Sequence, residues 1–269
     1  MQFNTIPLNR TAATITESMG LEKPGHACDP IEQVLRVIKN NSISGRVQKV
    51  LIYNPDAVGQ WLYQKYTHLY LPVMERTQLA IPVVAAFPPV TPVCFATMYS
   101  GTNPDEHGLD HYDKRLVTID TLFDALPRQG VKTALVARDD CSMAILFEGR
   151  PITYYNHEQS DEDAVERGLS LLSDDAHDVV VVYNMDYDDA IHDTEPESER
   201  SIAALTRHIN DFSRLVDKAN EVWKPYDTLS VFAPDHGIHK TMFGNGDHYC
   251  DIPEDMNIFH FYGFKPAGV

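Results

Sequence analysis

The stretch Asp178–Tyr183 reads DVVVVY, and it is the clearest strand in the sequence. A continuous run of β-branched apolar residues is typical of a strand that is covered on both faces. Three other short apolar runs share this character, namely Lys49–Asn54 (KVLIYN), Ile81–Ala86 (IPVVAA) and Leu229–Ala233 (LSVFA). Helical stretches separate these runs, so the sequence predicts an α/β fold with a mainly parallel central sheet and helices on both faces.

The remaining segments extend this alternation of strands and helices. Further strands are predicted at Lys132–Ala137, Met143–Phe147, Ile152–Tyr155 and Ile258–Phe261. Helices are predicted at Ile31–Lys39, Gln60–Met74, Thr91–Ser100, Thr121–Leu126, Asp161–Leu172 and Glu197–Trp223. Apart from its one predicted helix, the N-terminal segment 1–48 has too few clear boundary signals for further elements to be predicted. We therefore assign the functional core to residues 49–269 and allow at most a small cap within residues 110–160.

Length and charge restrict the classes of partner. The chain has 269 residues, which is enough for one large domain with a sizeable core. Its formal net charge of -17 makes nucleic acid polymers and anionic membranes poor partners, because both would be repelled. No apolar run approaches the roughly 18 residues of a membrane span, and the first residues lack the pattern of a secretory signal. Four scattered cysteines favour reduced thiols in a cytoplasmic protein. The sequence leaves the oligomeric state open.

Polar residues that can bind metals follow four of the predicted strands. In chain order they are Asp56, Thr91, Asp188 with His192, and Asp235 with His236. In an open α/β sheet, ligands bind outside the carboxyl ends of the strands, so parallel strands would bring these side chains to one edge. Converging carboxylates raise one another's pKa unless cations lie among them. Carboxylate oxygen combined with imidazole nitrogen suits zinc, manganese or iron better than calcium.

Each of these residues also has a purely structural interpretation. Thr91 stands ahead of Pro92 and a predicted helix, where threonine commonly serves only as an N-cap. An aspartate after a strand is usually a turn or helix-start residue. Asp186 and Asp189 compete with Asp188 for a metal-binding role. The combination favours a site, because all of these coincidences would have to arise together.

Longer segments around these residues carry a family pattern. FAPDHGIHK (Phe232–Lys240) has Asp-His-Gly after a strand, and GDHYCDIPEDMNIFHFYGF (Gly246–Phe264) has Gly-x-His before the last strand. FPPVTPVCFATMYSGTNPDEHGL (Phe87–Leu109) has a threonine ahead of a helix and ends in Ser-Gly-x-x-Pro-x-x-His-Gly. YNMDYDDAIHDTEPES (Tyr183–Ser198) has Asp-x-x-x-His, and YNPDAV (Tyr53–Val58) has an aspartate after a strand. In this order they resemble the nucleotide pyrophosphatase/phosphodiesterase branch of the alkaline phosphatase superfamily over most of the chain.

The resemblance implies two metal sites and a nucleophile. One ion would be bound by Asp56, Thr91, Asp235 and His236. The other ion would be bound by Asp188, His192 and His248. Thr91 would be the nucleophile, since it occupies the place of the family's threonine or serine ahead of the helix.

Positions close to Thr91 have other roles under the resemblance. Family members often have asparagine three residues after the nucleophile, in contact with a phosphoryl oxygen, and here that position is Cys94. We interpret Cys94 as a substrate-binding position with an altered contact, and the alternative is that it packs in the core behind the helix. His107 and Gly108 would be structural and would close the loop after the helix.

Together these residues predict a metal-dependent hydrolase of phosphate esters, more a phosphodiesterase or nucleotide pyrophosphatase than a monoesterase. It would use a threonine nucleophile, two divalent ions (zinc, or else manganese or iron) and a small phosphorylated substrate. One alternative is a phosphonate hydrolase with the same metals, in which Lys114 or Lys240 could bind a carboxylate. Another is a non-catalytic relative that binds metal or phosphate. A sulfatase is disfavoured, because the residues after Cys94 lack the proline and arginine that its modified nucleophile needs.

Overall fold

Two neighbouring parallel strands, Lys49–Pro55 and Val179–Asn184, form the centre of the computed structural model, which describes residues 2–269. Every residue of both strands is buried. Successive residues face opposite sides of the sheet, so Val50 packs in one hydrophobic cluster and Leu51 in a second one. Burial on both faces explains why these segments are continuous apolar runs.

Within residues 2–269, eight strands form one sheet, and two more form a separate hairpin. In chain order the strands are β1 (Ile6–Pro7), β2 (Lys49–Pro55), β3 (Leu79–Val84), β4 (Thr133–Arg138), β5 (Thr153–Glu158), β6 (Val179–Asn184), β7 (Thr228–Phe232), β8 (His239–Lys240), β9 (Gly246–Asp247) and β10 (Asn257–Lys265). Across the sheet the order is β1-β3-β10-β7-β2-β6-β4-β5. Strand β10 is antiparallel to β3 and β7, and the other pairings are parallel. The prediction of a mainly parallel sheet is confirmed.

Helices cover both faces of this sheet, as predicted. In chain order they are α1 (Arg10–Ser18), α2 (Glu32–Asn41), α3 (Gln60–Lys65), α4 (Leu71–Met74), α5 (Thr91–Ser100), α6 (Pro104–His107), α7 (Leu122–Arg128), α8 (Ser142–Leu146), α9 (Asp161–Asp174), α10 (Asp186–Asp193), α11 (Glu199–Val222) and α12 (Pro253–Met256). Helices α1, α2, α5, α7 and α8 contribute to one hydrophobic cluster, and α9, α10 and α11 contribute to the other. No helix within residues 2–269 is long and apolar enough to cross a bilayer.

The N-terminal segment and the region 110–160 both belong to the main sheet. Strand β1 pairs with β3, and α1 packs against α2 and α5. At the opposite edge, β4 and β5 lie within the region that could have held a small cap. That region therefore supplies sheet strands, and the part before α7, residues 108–121, is a loop.

Two predicted elements are wrong. The segment Met143–Phe147 is not a strand, because most of it lies in α8, which is capped by a hydrogen bond from the Ala144 amide to Cys141 Sγ (3.4 Å). A short apolar run does not distinguish a strand from a buried helical turn. The predicted single helix Gln60–Met74 is divided into α3, a 3-10 turn and α4. Pro72 has no amide proton, so it fits the first turn of a new helix better than the interior of a continuous one.

Candidate active site

The carboxyl ends of four strands meet at one edge of the sheet. Strands β2, β6 and β7 are adjacent and parallel, and β3 runs in the same direction across β10. Asp56 follows β2 directly, and Asp235 follows β7. Asp188 lies in α10 after β6, and Thr91 is the first residue of α5 after β3. The topology therefore places these four predicted residues together.

The first cluster consists of Asp56, Asp235 and His236, whose potential ligand atoms all lie within 4.8 Å of one another. His236 Nε2 is 3.4 Å from Asp56 Oδ1 and 3.4 Å from Asp235 Oδ2. All three side chains are fully enclosed by the protein. Thr91 Oγ1 faces the same space, 3.4 Å from Asp56 Oδ2 and 3.4 Å from His236 Nε2.

The second cluster consists of Asp188, His192 and His248, also with ligand atoms within 4.8 Å of one another. Asp188 Oδ1 is 3.3 Å from His192 Nε2 and 3.6 Å from His248 Nε2. The ring centroids of His236 and His248 are 4.2 Å apart, so the two clusters adjoin. His192 lies at the solvent side, with 42% of its side chain exposed.

The donor atoms of both clusters suit divalent cations. Three carboxylate oxygens, Asp56 Oδ1, Asp188 Oδ1 and Asp235 Oδ2, are buried and accept no hydrogen bond within residues 2–269. Such atoms are costly to bury unless a cation or water occupies the space between them. The two histidines complement them: Nδ1 of His236 donates to Gly237 O (3.0 Å), and Nδ1 of His248 donates to Pro89 O (2.8 Å). Because a carbonyl can only accept, Nε2 of each ring keeps its lone pair for a metal.

The electrostatics of the metal-free clusters point the same way. Burial, followed by the neighbouring Asp188, raises the pKa of Asp56 well above its usual value. Burial and the neighbouring Asp56 raise the pKa of Asp235 likewise. Burial acts to raise the pKa of Asp188, but the nearby His192 and His248 outweigh it and lower that pKa. Burial lowers the pKa of His248 to about 3, which keeps its imidazole neutral and able to bind a metal. Cations between the carboxylates would allow all three to ionise.

A cleft of about 370 Å³ opens onto both clusters. The buried Thr91 and His248 line it, His192 lies at its solvent side, and the exposed Tyr112 and Lys114 of the loop 108–121 line its rim. Ser142 and Tyr249 also line the cleft, and the sequence analysis gave neither a role. A volume of this size fits a small ligand.

Tyr183 is a further residue that the sequence analysis missed. It ends the apolar part of β6, is buried, and donates its hydroxyl proton to Asp56 Oδ2 at the cleft. The available signal was a single aromatic hydroxyl at the end of an otherwise all-valine strand, directly before an acidic segment. This contact fixes one oxygen of Asp56 and leaves the other free.

The charged partners of Asp186, Asp188 and Asp189 in α10 show which of them faces the candidate metal clusters. Asp189 Oδ2 is 2.7 Å from Arg138 Nη1, and Asp186 Oδ2 is 3.2 Å from Arg207 Nη2. Asp188 faces histidines instead. Of the three, only Asp188 therefore lies in one of the two candidate metal clusters.

Cys94 does not reach the cleft. It lies in the hydrophobic core behind α5, with its Sγ 3.8 Å from Ala86 O. Its amide donates to Val90 O (2.9 Å) and so continues the helix rather than facing an anion. This position agrees with the second interpretation of Cys94, in which the side chain packs in the core behind the helix.

His107 and Gly108 lie at the end of α6, away from the two clusters. The amide of Leu109 donates to His107 Nδ1 (3.2 Å), so the proton of this ring lies on Nε2. Nε2 of His107 therefore donates to Thr97 Oγ1 (2.9 Å). Gly108 has a φ of 78°, in the left-handed region that favours glycine. These contacts tie the loop to α5.

Comparison of structures relates this chain to known proteins, whereas comparison of sequences does not. No family model matches the sequence, and no curated protein matches it. Among solved structures, human ectonucleotide pyrophosphatase/phosphodiesterase 5 aligns with a TM-score of 0.58 at 18% identity, covering 72% of this chain and 58% of that one. The chain has the alkaline-phosphatase-like fold. The murine form of that protein, solved in an inactive variant with AMP, gives a TM-score of 0.56 at 18% identity and the same coverage.

A second kind of hydrolase shares this fold. Phosphonoacetate hydrolase from Sinorhizobium meliloti 1021, in complex with phosphonoformate, gives a TM-score of 0.56 at 14% identity. That match covers 74% of this chain and 59% of the hydrolase, so the chain spans about three-fifths of the length of these proteins. The fold predicted from the sequence resemblance is confirmed.

Proposed function

We propose that the protein is a two-metal hydrolase of phosphate esters, of the phosphodiesterase or nucleotide pyrophosphatase type. The observation that carries this proposal is the position of Thr91. Its hydroxyl lies at the start of a ten-residue helix and within 3.4 Å of donors in the first metal-binding cluster. The second cluster adjoins the first across the rings of His236 and His248.

The residues present fit two divalent ions. One would be held by Asp56, Thr91, Asp235 and His236, and the other by Asp188, His192 and His248. The mixture of carboxylate and imidazole donors favours zinc, with manganese or iron as the other candidates. Ions bound there would act as Lewis acids that stabilise negative charge on the attacking, leaving and non-bridging oxygens.

The chain's own residues define the rest of the reaction. Thr91 Oγ1 forms a bond to phosphorus while the bond from phosphorus to the leaving oxygen breaks in line with it. The amides of Thr91 and Val93 at the start of α5 have no intrahelical acceptor, so they can donate to the non-bridging oxygens. Thr91 Oγ1 lies 3.4 Å from Asp56 Oδ2, whose position Tyr183 fixes. The hydroxyl proton passes to water as Oγ1 attacks, and the leaving oxygen takes a proton from water. Water then hydrolyses the phosphothreonine and restores the hydroxyl.

The structural neighbours support this proposal. The murine ectonucleotide pyrophosphatase/phosphodiesterase binds AMP, and its inactive variant has a threonine replaced by alanine. A small phosphorylated substrate fits the cleft of about 370 Å³. The four cysteines are free, which agrees with the cytoplasmic location that we propose.

A phosphonate hydrolase is the second candidate. Lys114 lines the cleft and is exposed, with its Nζ 3.0 Å from Asp140 O. An ammonium group at the rim could bind a carboxylate next to the phosphorus. The neighbour that cleaves phosphonoacetate shows that the fold can serve this reaction.

A substrate panel tests the two candidates. The metal-loaded protein is assayed with an aryl phosphodiester, the matching aryl phosphomonoester and phosphonoacetate, each before and after treatment with chelator. We expect the diester to be hydrolysed fastest, and we expect chelator to abolish the rate. Faster release of phosphate from phosphonoacetate would favour the second candidate. No turnover of any substrate by fully metal-loaded protein would make the chain a non-catalytic relative.

A further inference from the structure

A third cluster of metal-binding side chains lies outside the cleft. It consists of His239 in β8, Cys250, and Asp255 in α12, whose potential ligand atoms lie within 4.8 Å of one another. None of the three lines the cleft. The cluster combines a thiol, an imidazole and a carboxylate, whereas the two clusters at the cleft contain no sulfur.

The three side chains range from buried to exposed, and hydrogen bonds to the buried carboxylate hold them together. Asp255 is fully buried, and its Oδ1 is 2.8 Å from His239 Nδ1. Its Oδ2 accepts a hydrogen bond from the amide of Cys250 (2.9 Å), which brings the base of the cysteine side chain to the carboxylate. Cys250 is exposed, and His239 has 21% of its side chain exposed. The carboxylate is thus anchored while the thiol side stays open to solvent, as a metal site with an entry path requires.

We propose that His239, Cys250 and Asp255 bind one divalent ion of the zinc class, with water at the fourth position. Thiolate, imidazole and carboxylate are all zinc ligands, and thiolate selects zinc over magnesium, calcium or manganese. Without the ion, Nδ1 of His239 donates its proton to Asp255, with Oδ1 at 2.8 Å and Oδ2 at 3.0 Å, because a carboxylate can only accept. On binding, the ion displaces this proton, the neutral His239 ring carries its proton on Nε2 instead, and the Cys250 thiol releases its proton to solvent. The Nδ1 lone pair and one Asp255 oxygen then face the ion.

This site would stabilise the segment that carries His236 of the first cluster and His248 of the second cluster. The backbone oxygen of Asp255 accepts a hydrogen bond from Gly237 N (2.7 Å), next to His236. His239 pairs with Asp247 in the hairpin of β8 and β9, directly before His248. An ion at this position therefore cross-links both ends of the hairpin to α12.

Cadmium and cobalt are suitable probes, because a bound thiolate gives either ion a charge-transfer band that oxygen and nitrogen ligands do not. The full-length reduced protein is titrated with Cd²⁺ or Co²⁺, alone and as Cys250→Ser. Cys28→Ser is the matched control, since Cys28 is the other cysteine that is not buried. We expect the band in the wild type and in Cys28→Ser, and its loss in Cys250→Ser. His239→Gln should weaken binding at this site while leaving the thiol free to react with a thiol reagent.

Two results would overturn the proposal. The first is the absence of a charge-transfer band in reduced wild-type protein whose cleft sites are already filled. The second is a band that persists in Cys250→Ser. The zinc-saturated wild type should also hold one ion more per chain than Cys250→Ser. These readouts do not depend on hydrolysis, so the third site can fail or stand independently of the proposed function.

Discussion

The imidazole of His248 donates its Nδ1 proton to the backbone oxygen of Pro89, with 2.8 Å between the two atoms. Pro89 lies just before α5, so this hydrogen bond joins one metal-binding side chain to the segment that leads into Thr91. It also sets the tautomer of the ring and leaves Nε2 facing Asp188. In the proposed mechanism, metal binding by His248 and the placement of Thr91 are therefore coupled through this contact.

Substitution of two adjacent aspartates in α10, one at a time, tests the proposed metal sites. We expect Asp188→Asn to hold about one divalent ion fewer per chain than the wild type, because an amide is a much weaker ligand than a carboxylate. Asp189→Asn is the matched control, since Asp189 pairs with Arg138 and should leave metal content unchanged. Elemental analysis after dialysis measures both. Equal metal content in the two variants would contradict the assignment.

The nucleophile is tested at Thr91. Thr91→Ala should lower kcat by several orders of magnitude, because it removes the covalent route, whereas Thr91→Ser should keep part of the activity. Thr97→Ala is the control on the same helix, since Thr97 Oγ1 pairs with His107 and not with the metal clusters. The measurement is the steady-state rate per folded molecule of each variant and of the wild type. Wild-type turnover by Thr91→Ala would show that another group attacks phosphorus.

The contact from Tyr183 to Asp56 should tune the first metal site. Tyr183→Phe removes only the hydroxyl, so we expect the fold to persist and metal affinity or activity to fall by about 10–100-fold. Tyr53→Phe removes a buried hydroxyl that pairs with His208 instead, and it should leave metal affinity unchanged. Competition with a chromogenic chelator compares the two variants. Equal affinities would remove Tyr183 from the site.

Cys94 gives a prediction about stability. Because its side chain is fully buried in the core, Cys94→Asn should bury an unpaired amide and lower the free energy of unfolding by roughly 1–3 kcal/mol or more. The rate per folded molecule should stay the same, since Cys94 does not line the cleft. Urea unfolding combined with kinetics measures both. Altered substrate ranking with unchanged stability would instead restore a substrate contact for Cys94.

Buried histidines predict a pH dependence of stability. Burial lowers the pKa of His208 and of His260 to about 4, from 6.5 in a model peptide. Between about pH 6.5 and pH 4 the unfolded chain therefore binds protons that the folded chain does not, so the free energy of unfolding falls as the pH falls. Each histidine contributes up to about 1.4 kcal/mol per pH unit in this window.

The contribution of His260 can be isolated by substitution. His260→Gln keeps a donor for Pro234 O, which His260 Nε2 contacts at 2.9 Å, but it cannot titrate. Urea unfolding of metal-free protein across the window should give a smaller slope for the variant than for the wild type. Identical slopes would show that His260 does not contribute to the acid sensitivity.

The central strands and the convergence of polar residues were predictable from sequence because both depend on local patterns. Residues 179–182 are buried on both faces and are therefore all valine, and Asp188 follows this strand where a parallel sheet binds ligands. The helix α8 was missed because its short apolar run fits either state, and the cap from Cys141 that decides it is a tertiary detail.

Side-chain direction is what the sequence could not supply. Tyr183 occupies a strand position like its valine neighbours, and only the relation of β6 to β2 brings its hydroxyl to Asp56. Cys94 lies one turn into α5, and the rotation of that helix, set by packing against the core, decides that it faces away from the cleft. The neighbouring residues mark Tyr183 as unusual, but they fix neither the direction of its side chain nor that of Cys94.

The antiparallel strand β10 joins the two parts of the sheet, since it lies between β3 and β7. The strand before Thr91 and the strand before Asp235 are therefore held in register by a strand that follows both of them in the chain. During translation, Thr91 and Asp235 are completed before β10 can pair with β3 and β7. We therefore expect cleavage before Asn257 to abolish hydrolysis while leaving β2, β6 and β7 paired.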